Sequence, residues 1–503
     1  MKTIVSNAWF CRWMSPVMLF WFVVARCCAA GVGVVDWNNL HQRIDGFGGG
    51  VVFLNPGTLD PVTSPNMDTL FGTNNTNQLG LTLLRIRIDP TTNWAAALQD
   101  GQGAVARGAG VLATPWTPPA GMKTTNSIIG GSLLASQYTN YANYLNYFAG
   151  YMAANGAPLK AISLQNEPDF VPTTYEGCGW TPTQLQTFCH NVAGLITNAP
   201  VIMPESASYN QAMSDPTLND PVAVGNVTYI GEHLYGSGTN AVPIVDYPNA
   251  HNHSKPTWMT EFLVNDQTIS TAITTAQQIH DCLTIGNFSA YIWWKCLGDA
   301  NGLVNASGAP QIRGFVMAQW SRFVHPGWYR IDVTNSNPAA ASISAYKDTH
   351  SGNFAIVAVN TNLTAMTQTF DLTNFTAGSV TPWITSSNLS LAVQTPVNVT
   401  NASFTYTLPA WSVVTFAGQG YVVSTNITIS STTYIPNGSF VLTWNSTAGA
   451  TYSVLRTNIL GGSVSPWPLI GTGYPAGGAT GGPLSYTDTT ATVSPAFYRV
   501  SSP

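Results

Sequence analysis

Charge is what this 503-residue chain has least of. Asp, Glu, Lys and Arg make up 8% of it, against roughly a quarter in ordinary globular proteins. The net charge is −5 and basic residues form no run, which argues against a nucleic-acid partner. Long apolar stretches are missing as well. The run at residues 17–25 is too short to span a bilayer, and no later stretch is longer and as apolar, so no membrane insertion is expected. Cysteine is sparse, and no CxxC or Cys/His spacing suggests zinc. His251 and His253 stand close together but read as an exposed loop. The glycines at 46–50 open no helix in a GxGxxG pattern, so a dinucleotide site is a weak reading. No metal or organic cofactor is called for.

Glycine (45), proline (32), Ser, Thr and Asn fill the space that charge leaves, and 16 Trp accompany them. Trp with little charge suits stacking on uncharged sugar rings, although many of these rings must simply fill cores. The N-terminus has the layout of a secretory signal: Lys2 and Arg12, then residues 17–25, then the small residues Cys28, Ala29 and Ala30. Cleavage is expected near Ala30, and with it an extracellular location. A lipid-anchored Cys27 is the weaker option, because Arg26 is a poor neighbour for it. Cys178, Cys189, Cys282 and Cys296 then remain. An even count in an exported chain permits two disulfides, with Cys178–Cys189 and Cys282–Cys296 as the local pairing among three connectivities. Sequons occur at Asn226, Asn287 and Asn362 among others, and matter only in a eukaryotic host.

The chain then alternates strand and helix. After a leading strand at 34–44 and the glycines at 46–50, apolar strands are expected at 81–88, 111–115, 159–165, 201–204, 228–234, 257–260 and 289–294. Helical spacing falls at 137–154, 183–198 and 271–285. With the glycines at 46–50 leading into the first strand at 51–53, these seven strands make eight and predict a (β/α)8 TIM barrel over residues 46–325. Residues 31–45 and 326–418 read as a fused antiparallel β side domain, and 425–503 as a further all-β, sandwich-like module with a glycine-rich loop around 471–482. Trp444 and Trp467 are stacking candidates there, although Trp444 sits in a strand and reads better as core. Binding of polysaccharide and a spacer role both remain open for this module.

The most informative stretch is residues 159–170, an apolar strand that ends in Asn166-Glu167-Pro168. Proline stops the strand, which leaves Asn166 and Glu167 at its carboxyl end, where a parallel barrel builds its active site. Glu261 ends the seventh strand in the same way. Strands four and seven face each other across a closed barrel, and cleaving a glycosidic bond needs two flanking carboxyl groups. Arg85 and Arg87 share one face of the second strand. One of them can hold the charge of Glu261, or both can pair with structural carboxylates such as Asp89.

Taken in order, Ile44-Asp45-Gly46-Phe47-Gly48-Gly49, Leu84-Arg85-Ile86-Arg87-Ile88-Asp89, Thr114-Pro115-Trp116-Thr117-Pro118-Pro119 with Met122-Lys123, SLQNEPD at 163–169, Met203-Pro204-Glu205-Ser206, EHLYG at 232–236, WMTEF at 258–262 and YIWW at 291–294 resemble glycoside hydrolase family 30, and within it the bacterial endo-β-1,4-xylanases. The resemblance runs from about residue 34 to about 416. It implies a retaining mechanism with Glu167 as acid/base and Glu261 as nucleophile. It also implies a substrate-binding set of Asn166, Trp116, His233, Tyr235 and Trp294, to which Arg85 is added from its place on the second strand, with Glu205 either structural or in contact with substrate. The implied partner is a polysaccharide, xylan or a related plant cell-wall β-glycan, attacked by a monomer. Glucuronoxylan-specific members carry an arginine-rich loop after the eighth strand. Here that loop is KCLGDANG at 295–302, without arginine and with Asp299 adding negative charge, and the loop at 263–268 departs as well. Strict dependence on glucuronate side groups is therefore not expected. The competing expectations are another specificity of the family (a β-1,6-glucanase, a glucosylceramidase-like enzyme or an exo-xylosidase) and a non-catalytic carbohydrate-binding protein.

Overall fold

A computed structural model describes residues 31–54, 59–237, 240–421, 427–436, 438–446, 451–457, 469–475, 482–490 and 496–501. The expected signal segment 1–30 and Trp467 lie outside the described residues. Among the described residues no helix is long and apolar enough to cross a membrane.

Eight parallel strands close into a barrel: β2 (Gly46–Gly50), β3 (Leu83–Ile88), β4 (Gly110–Pro115), β5 (Ala161–Ser163), β6 (Val201–Ser206), β7 (Tyr229–His233), β8 (Thr257–Glu261) and β9 (Ala290–Trp293). Outside them run α1 (Ser64–Phe71), α2 (Ala95–Val105), α3 (Tyr138–Ala154), α4 (Pro182–Asn191), α5 (Asp215–Leu218), α6 (Pro248–Asn252), α7 (Ile269–Thr284) and α8 (Ile312–Ser321). The helices follow from local chemistry. In α3 the buried face is Tyr138, Tyr141, Ala142, Leu145, Phe148, Ala149 and Met152, which is the i, i+3, i+4, i+7 stripe. A capping box of Thr181 and Gln184, with proline in the first turn, starts α4. It ends at Asn191, short of the expected 198, where a 3-10 turn follows. His251 lies in the short helix α6 rather than a loop, and it faces Asp246 at 3.0 Å.

The lower layer inside the barrel is Leu83, Leu112, Ala161, Ile202, Tyr229, Trp258, Ala290 and Ile292. Trp258 donates from Nε1 to Asp45 at 3.0 Å. Polar side chains sit above this layer, toward the carboxyl ends of the strands.

The side domain is a ten-stranded sheet in the order β15-β14-β18-β12-β11-β10-β1-β13-β17, with β16 beside β14. Its strands are β1 (Gly31–Arg43), β10 (Tyr329–Asn335), β11 (Ser342–Lys347), β12 (Asn353–Asn360), β13 (Met366–Thr373), β14 (Thr376–Thr385), β15 (Ala392–Val393), β16 (Val397–Asn398), β17 (Ser403–Leu408) and β18 (Ser412–Tyr421). Every pairing is antiparallel except β1 with β13, which is parallel. β14 was not legible in the sequence, because Gly378 and Pro382 interrupt a strand reading. Buried Gln319 of α8 ties this sheet to the barrel. Its amide donates to Thr385 at 2.8 Å and its carbonyl accepts from Thr415 at 2.6 Å.

The last segment holds two three-stranded sheets: β19 (Ile429–Ile435), β20 (Ser439–Ser446) and β23 (Gly482–Asp488) in one, β21 (Thr451–Thr457), β22 (Leu469–Pro475) and β24 (Phe497–Ser501) in the other. The expected glycine-rich loop is in part the strand β22, and residues 476–481 lie outside the described ones. Trp444 is fully buried beside Tyr452, so it is core and offers no stacking surface.

The disulfide expectation is corrected. Cys178, Cys189, Cys282 and Cys296 are all free and buried. Their neighbours differ: Cys178 lies near Tyr138 and Lys123, Cys189 near Thr217, Cys282 near Tyr291, and Cys296 against Gly49. Burial pushes the Cys189 thiol up to about 12 and the Cys178 thiol to about 11. These cysteines behave as small hydrophobes. The amides of Asn226, Asn287 and Asn362 are likewise occupied, bonding Cys189 carbonyl, Asp246, and the carbonyls of Ala339 and Ala340.

Candidate active site

The carboxyl ends of the barrel strands surround a cleft of about 580 Å³, lined among others by Phe53, Trp116, Asn166, Glu167, Tyr175, Tyr235, Glu261 and Trp294. Two irregularities aim its carboxylates. On β8, Glu232 pairs with Met259 and His233 with Glu261, so Thr260 is an extra residue. That bulge lets Trp258 and Glu261, three apart, both face inward. On β6, Pro204 pairs with Gly231 and Ser206 with Glu232, which leaves Glu205 unpaired at φ +56°. Glu205 thereby turns into the barrel. Gly231 makes room for it, since a Cβ there would stand 2.9 Å from Glu205 Cγ. Glu167 also has a positive φ, +46°, and its amide donates to Glu205 carbonyl at 2.9 Å. Such left-handed conformations cost about 1–3 kcal/mol each and persist only where the surroundings over-determine them.

The side chains form one connected network. Arg85, wholly buried, donates through Nη1 to Glu261 and through Nη2 to Asn166 Oδ1 at 2.7 Å. The same Nη2 lies 3.2 Å from Glu205. Thr114 donates to Glu205 at 3.0 Å, and Tyr235 donates its hydroxyl proton to Glu261 Oε1 at 2.9 Å. His233 Nδ1 meets Glu167 at 3.0 Å, and its Nε2 lies 3.9 Å from both Glu205 and Glu261. Arg87, one step nearer solvent on β3, bonds Glu176 and Asp89. The two arginines of that face therefore divide: Arg85 serves the cleft carboxylates, and Arg87 the structural ones.

The electrostatics follow from this arrangement. Burial disfavours a charged imidazole at His233, but the charge on Glu261, the bond to Glu167 and the nearby Glu205 carboxylate outweigh it and lift its pKa to about 10. Burial likewise opposes ionisation of Glu205, yet Arg85 and His233 pull its carboxyl down to about 2. At Glu261 burial pushes the carboxyl above its usual value, and the Glu167 charge pushes the same way. His233 and Arg85 oppose both. Two cations, Arg85 and His233, thus face three carboxylates.

One ligand atom each from Glu167, His233 and Glu261 lies within 4.8 Å of the others, a spacing a cation could use. The charge it would bring is already supplied by Arg85 and the protonated His233, so these residues do not fit a resident metal.

The residues expected to be catalytic or to bind substrate come together here, but not all can touch a ligand. Asn166, Trp116, Tyr235 and Trp294 line the cleft. His233 and Arg85 have no exposed side-chain surface, so both lie beneath the floor and act through the carboxylates, which corrects their place in a substrate-touching set. Glu205 is buried in the same layer. Sequence reasoning missed Phe53, Phe170, Tyr175 and Ser208, which also line the cleft. Phe53 lies just past the end of β2 and Phe170 three residues after Glu167, and that position on the barrel's active face was the signal available. Phe53, Trp116 and Trp294 form a continuous aromatic wall, with centroids 5.3 Å and 5.7 Å apart.

A closed parallel barrel with acidic side chains converging from opposite strand tips is the frame of a barrel glycosidase. No protein-family model matches the chain. Comparison with individual proteins is decisive. The glucuronoxylanase XynC of Bacillus subtilis is 38% identical over 419 residues, covering 81% of this chain and 96% of that protein. Among solved structures, the glycoside hydrolase family 30 subfamily 8 xylanase Xyn30A from Clostridium acetobutylicum superposes with TM-score 0.71 at 40% identity, covering 77% of this chain and 99% of that one. A GH30 endoxylanase from Clostridium papyrosolvens C71 follows at TM-score 0.69 and 36% identity, with 77% and 99% covered. The chain belongs to glycoside hydrolase family 30.

Proposed function

We propose that this chain is a secreted, retaining endo-β-1,4-xylanase that does not require glucuronate side groups. The observation that carries the retaining reading is spacing: oxygens of Glu167 and Glu261 approach within 4.8 Å. Retaining enzymes hold their carboxyl groups roughly 5–5.5 Å apart, and inverting ones roughly 6.5–9.5 Å.

Glu261 is the nucleophile in this reading. Arg85 and Tyr235 both donate to it, and Arg85 with His233 opposes the burial that holds its carboxyl above the usual value. Glu167, 14% exposed to the cleft, supplies the acid proton in this reading. Glu167 gives that proton to the glycosidic oxygen as Glu261 attacks the anomeric carbon. The glycosyl–Glu261 ester is then hydrolysed by water that Glu167 deprotonates. His233, protonated below about pH 10, keeps a hydrogen-bond donor on Glu167 through both halves. Asn166, oriented by Arg85, offers its amide to the hydroxyl beside the anomeric carbon.

Independence from glucuronate is supported by where the cations stand. Arg85 and Arg87 are committed to carboxylates, and Lys295 bonds the Phe53 carbonyl at 3.1 Å. A free guanidinium fork, the natural partner of a sugar carboxylate, is missing from the cleft among the described residues. The segment 1–30 has a signal layout, which supports export. Product analysis on xylans with and without glucuronate groups tests the reading. Internal cleavage of both is expected, and loss of activity on the stripped polymer overturns the claim. Glu261→Gln separates enzyme from lectin: turnover should vanish in the first and sugar binding persist in the second.

A further inference from the structure

Phe53 is held in a conformation that its own side chain does not favour. Its φ is +51°, left-handed backbone in a bulky residue, and 45% of its surface is exposed. Burial of its own ring therefore contributes little to holding it, and the contacts around it must offset the strain of that conformation. Three are present. The ring meets Trp116 edge-on at 5.3 Å. Arg87, itself fixed by Glu176 and Asp89, lies 5.2 Å over the ring. The Lys295 ammonium donates to the Phe53 carbonyl at 3.1 Å, and only this last contact acts on the backbone.

The two residues come from neighbouring strand ends. β2 pairs with β9 through Gly49 and Trp293, and Cys296 amide donates to Gly50 carbonyl at 2.8 Å. Lys295 thus reaches across from the loop after β9 to the loop after β2. It also lies 5.9 Å from the Trp294 ring, and among the described residues it forms no ion pair with a carboxylate. A half-buried, carboxylate-free lysine in a chain with only 17 Lys and Arg has its hydrogen bond to a carbonyl as its evident work.

We propose that Lys295 is a positioning residue that clamps Phe53 in its left-handed conformation, so that the Phe53 ring completes the cleft's aromatic wall and sets its grip on the bound sugar chain. This rests on the reading of the cleft as a xylan site. Lys295 touches the backbone of Phe53 and not the bond that is cut, so its loss should act on binding rather than on chemistry.

Two measurements test it. On β-1,4-xylo-oligosaccharides of increasing length, Lys295→Met should raise KM by about 5–10-fold for the longer chains, the range of about one lost stacking contact, with kcat within about twofold. Lys295→Arg, which keeps a donor, should restore KM. In a Phe53→Ala background the same Lys295→Met change should add less than about twofold, because the two residues act as one unit. A full additional loss there overturns the proposal. The second measurement needs no substrate: a crystal structure of Lys295→Met should show Phe53 at negative φ with its ring off Trp116. An unchanged φ and ring contact overturn the clamp. If the wild-type protein cleaves no xylan, the functional reading fails, while the crystal structure still decides the clamp.

Discussion

Glu205→Gln isolates the charge arithmetic beneath the cleft. Glu205 is buried, ionised down to about pH 2, 3.2 Å from Arg85 and 3.9 Å from His233 Nε2. At 3.9 Å and an effective dielectric constant of about 20, one such charge steadies the imidazolium by about 4 kcal/mol. At 1.36 kcal/mol per pH unit, removing it should bring the His233 titration from about 10 down toward about 7. A glutamine keeps the volume and can still accept from Thr114, so the steric change is small. The assay is an NMR titration of the His233 imidazole alongside the pH–rate profile. Wild type should show no His233 titration below pH 9, whereas the variant should titrate near neutrality and lose activity as His233 gives up its proton. A variant whose His233 stays protonated past pH 9, with an unchanged profile, refutes the reasoning. Linkage gives a second readout. A carboxyl with a depressed pKa stabilises the fold above its unfolded value of 4.5 and loses that contribution as pH falls toward about 2. Wild type should therefore lose on the order of 3 kcal/mol between those limits, and the variant should lack that part of its acid sensitivity.

Three further outcomes follow from the same geometry. Glu167→Gln should cut the rate on xylan by about 10²–10⁴-fold but far less on an aryl xyloside with a strongly acidic leaving group, which needs no proton; equal losses on both would remove Glu167 from the acid role. Gly231→Ala should cost about 1–3 kcal/mol in denaturant unfolding, because its Cβ would press on Glu205 Cγ and Ile202 Cδ1 at 2.9 and 3.0 Å; wild-type stability would mean that Glu205 is not held as described. Reducing agent should leave the melting temperature unchanged, and the four thiols should react only on unfolding, since all are free and buried; a drop in melting temperature would reinstate a disulfide.

The sequence by itself determined the barrel, because that rests on local signals. Apolar runs such as Leu83–Ile88 alternate with helical stripes such as Tyr138–Ala154, and proline and glycine mark their ends. It also placed Glu167 and Glu261 at strand tips, and closure of the barrel turns strand number into position across the mouth. Tertiary structure decided everything that depends on which way a side chain turns. Period-two alternation alone cannot seat both Trp258 and Glu261, or both Ile202 and Glu205, inside the barrel. The bulges at Thr260 and Glu205 do so, and a bulge leaves no reliable mark in composition. Only the fold could show that His233 and Arg85 lie under the floor, that the four cysteines sit apart, and that Lys295 reaches the carbonyl of a residue 242 positions away. These are contacts between distant parts of the chain, and local propensity carries no information about them.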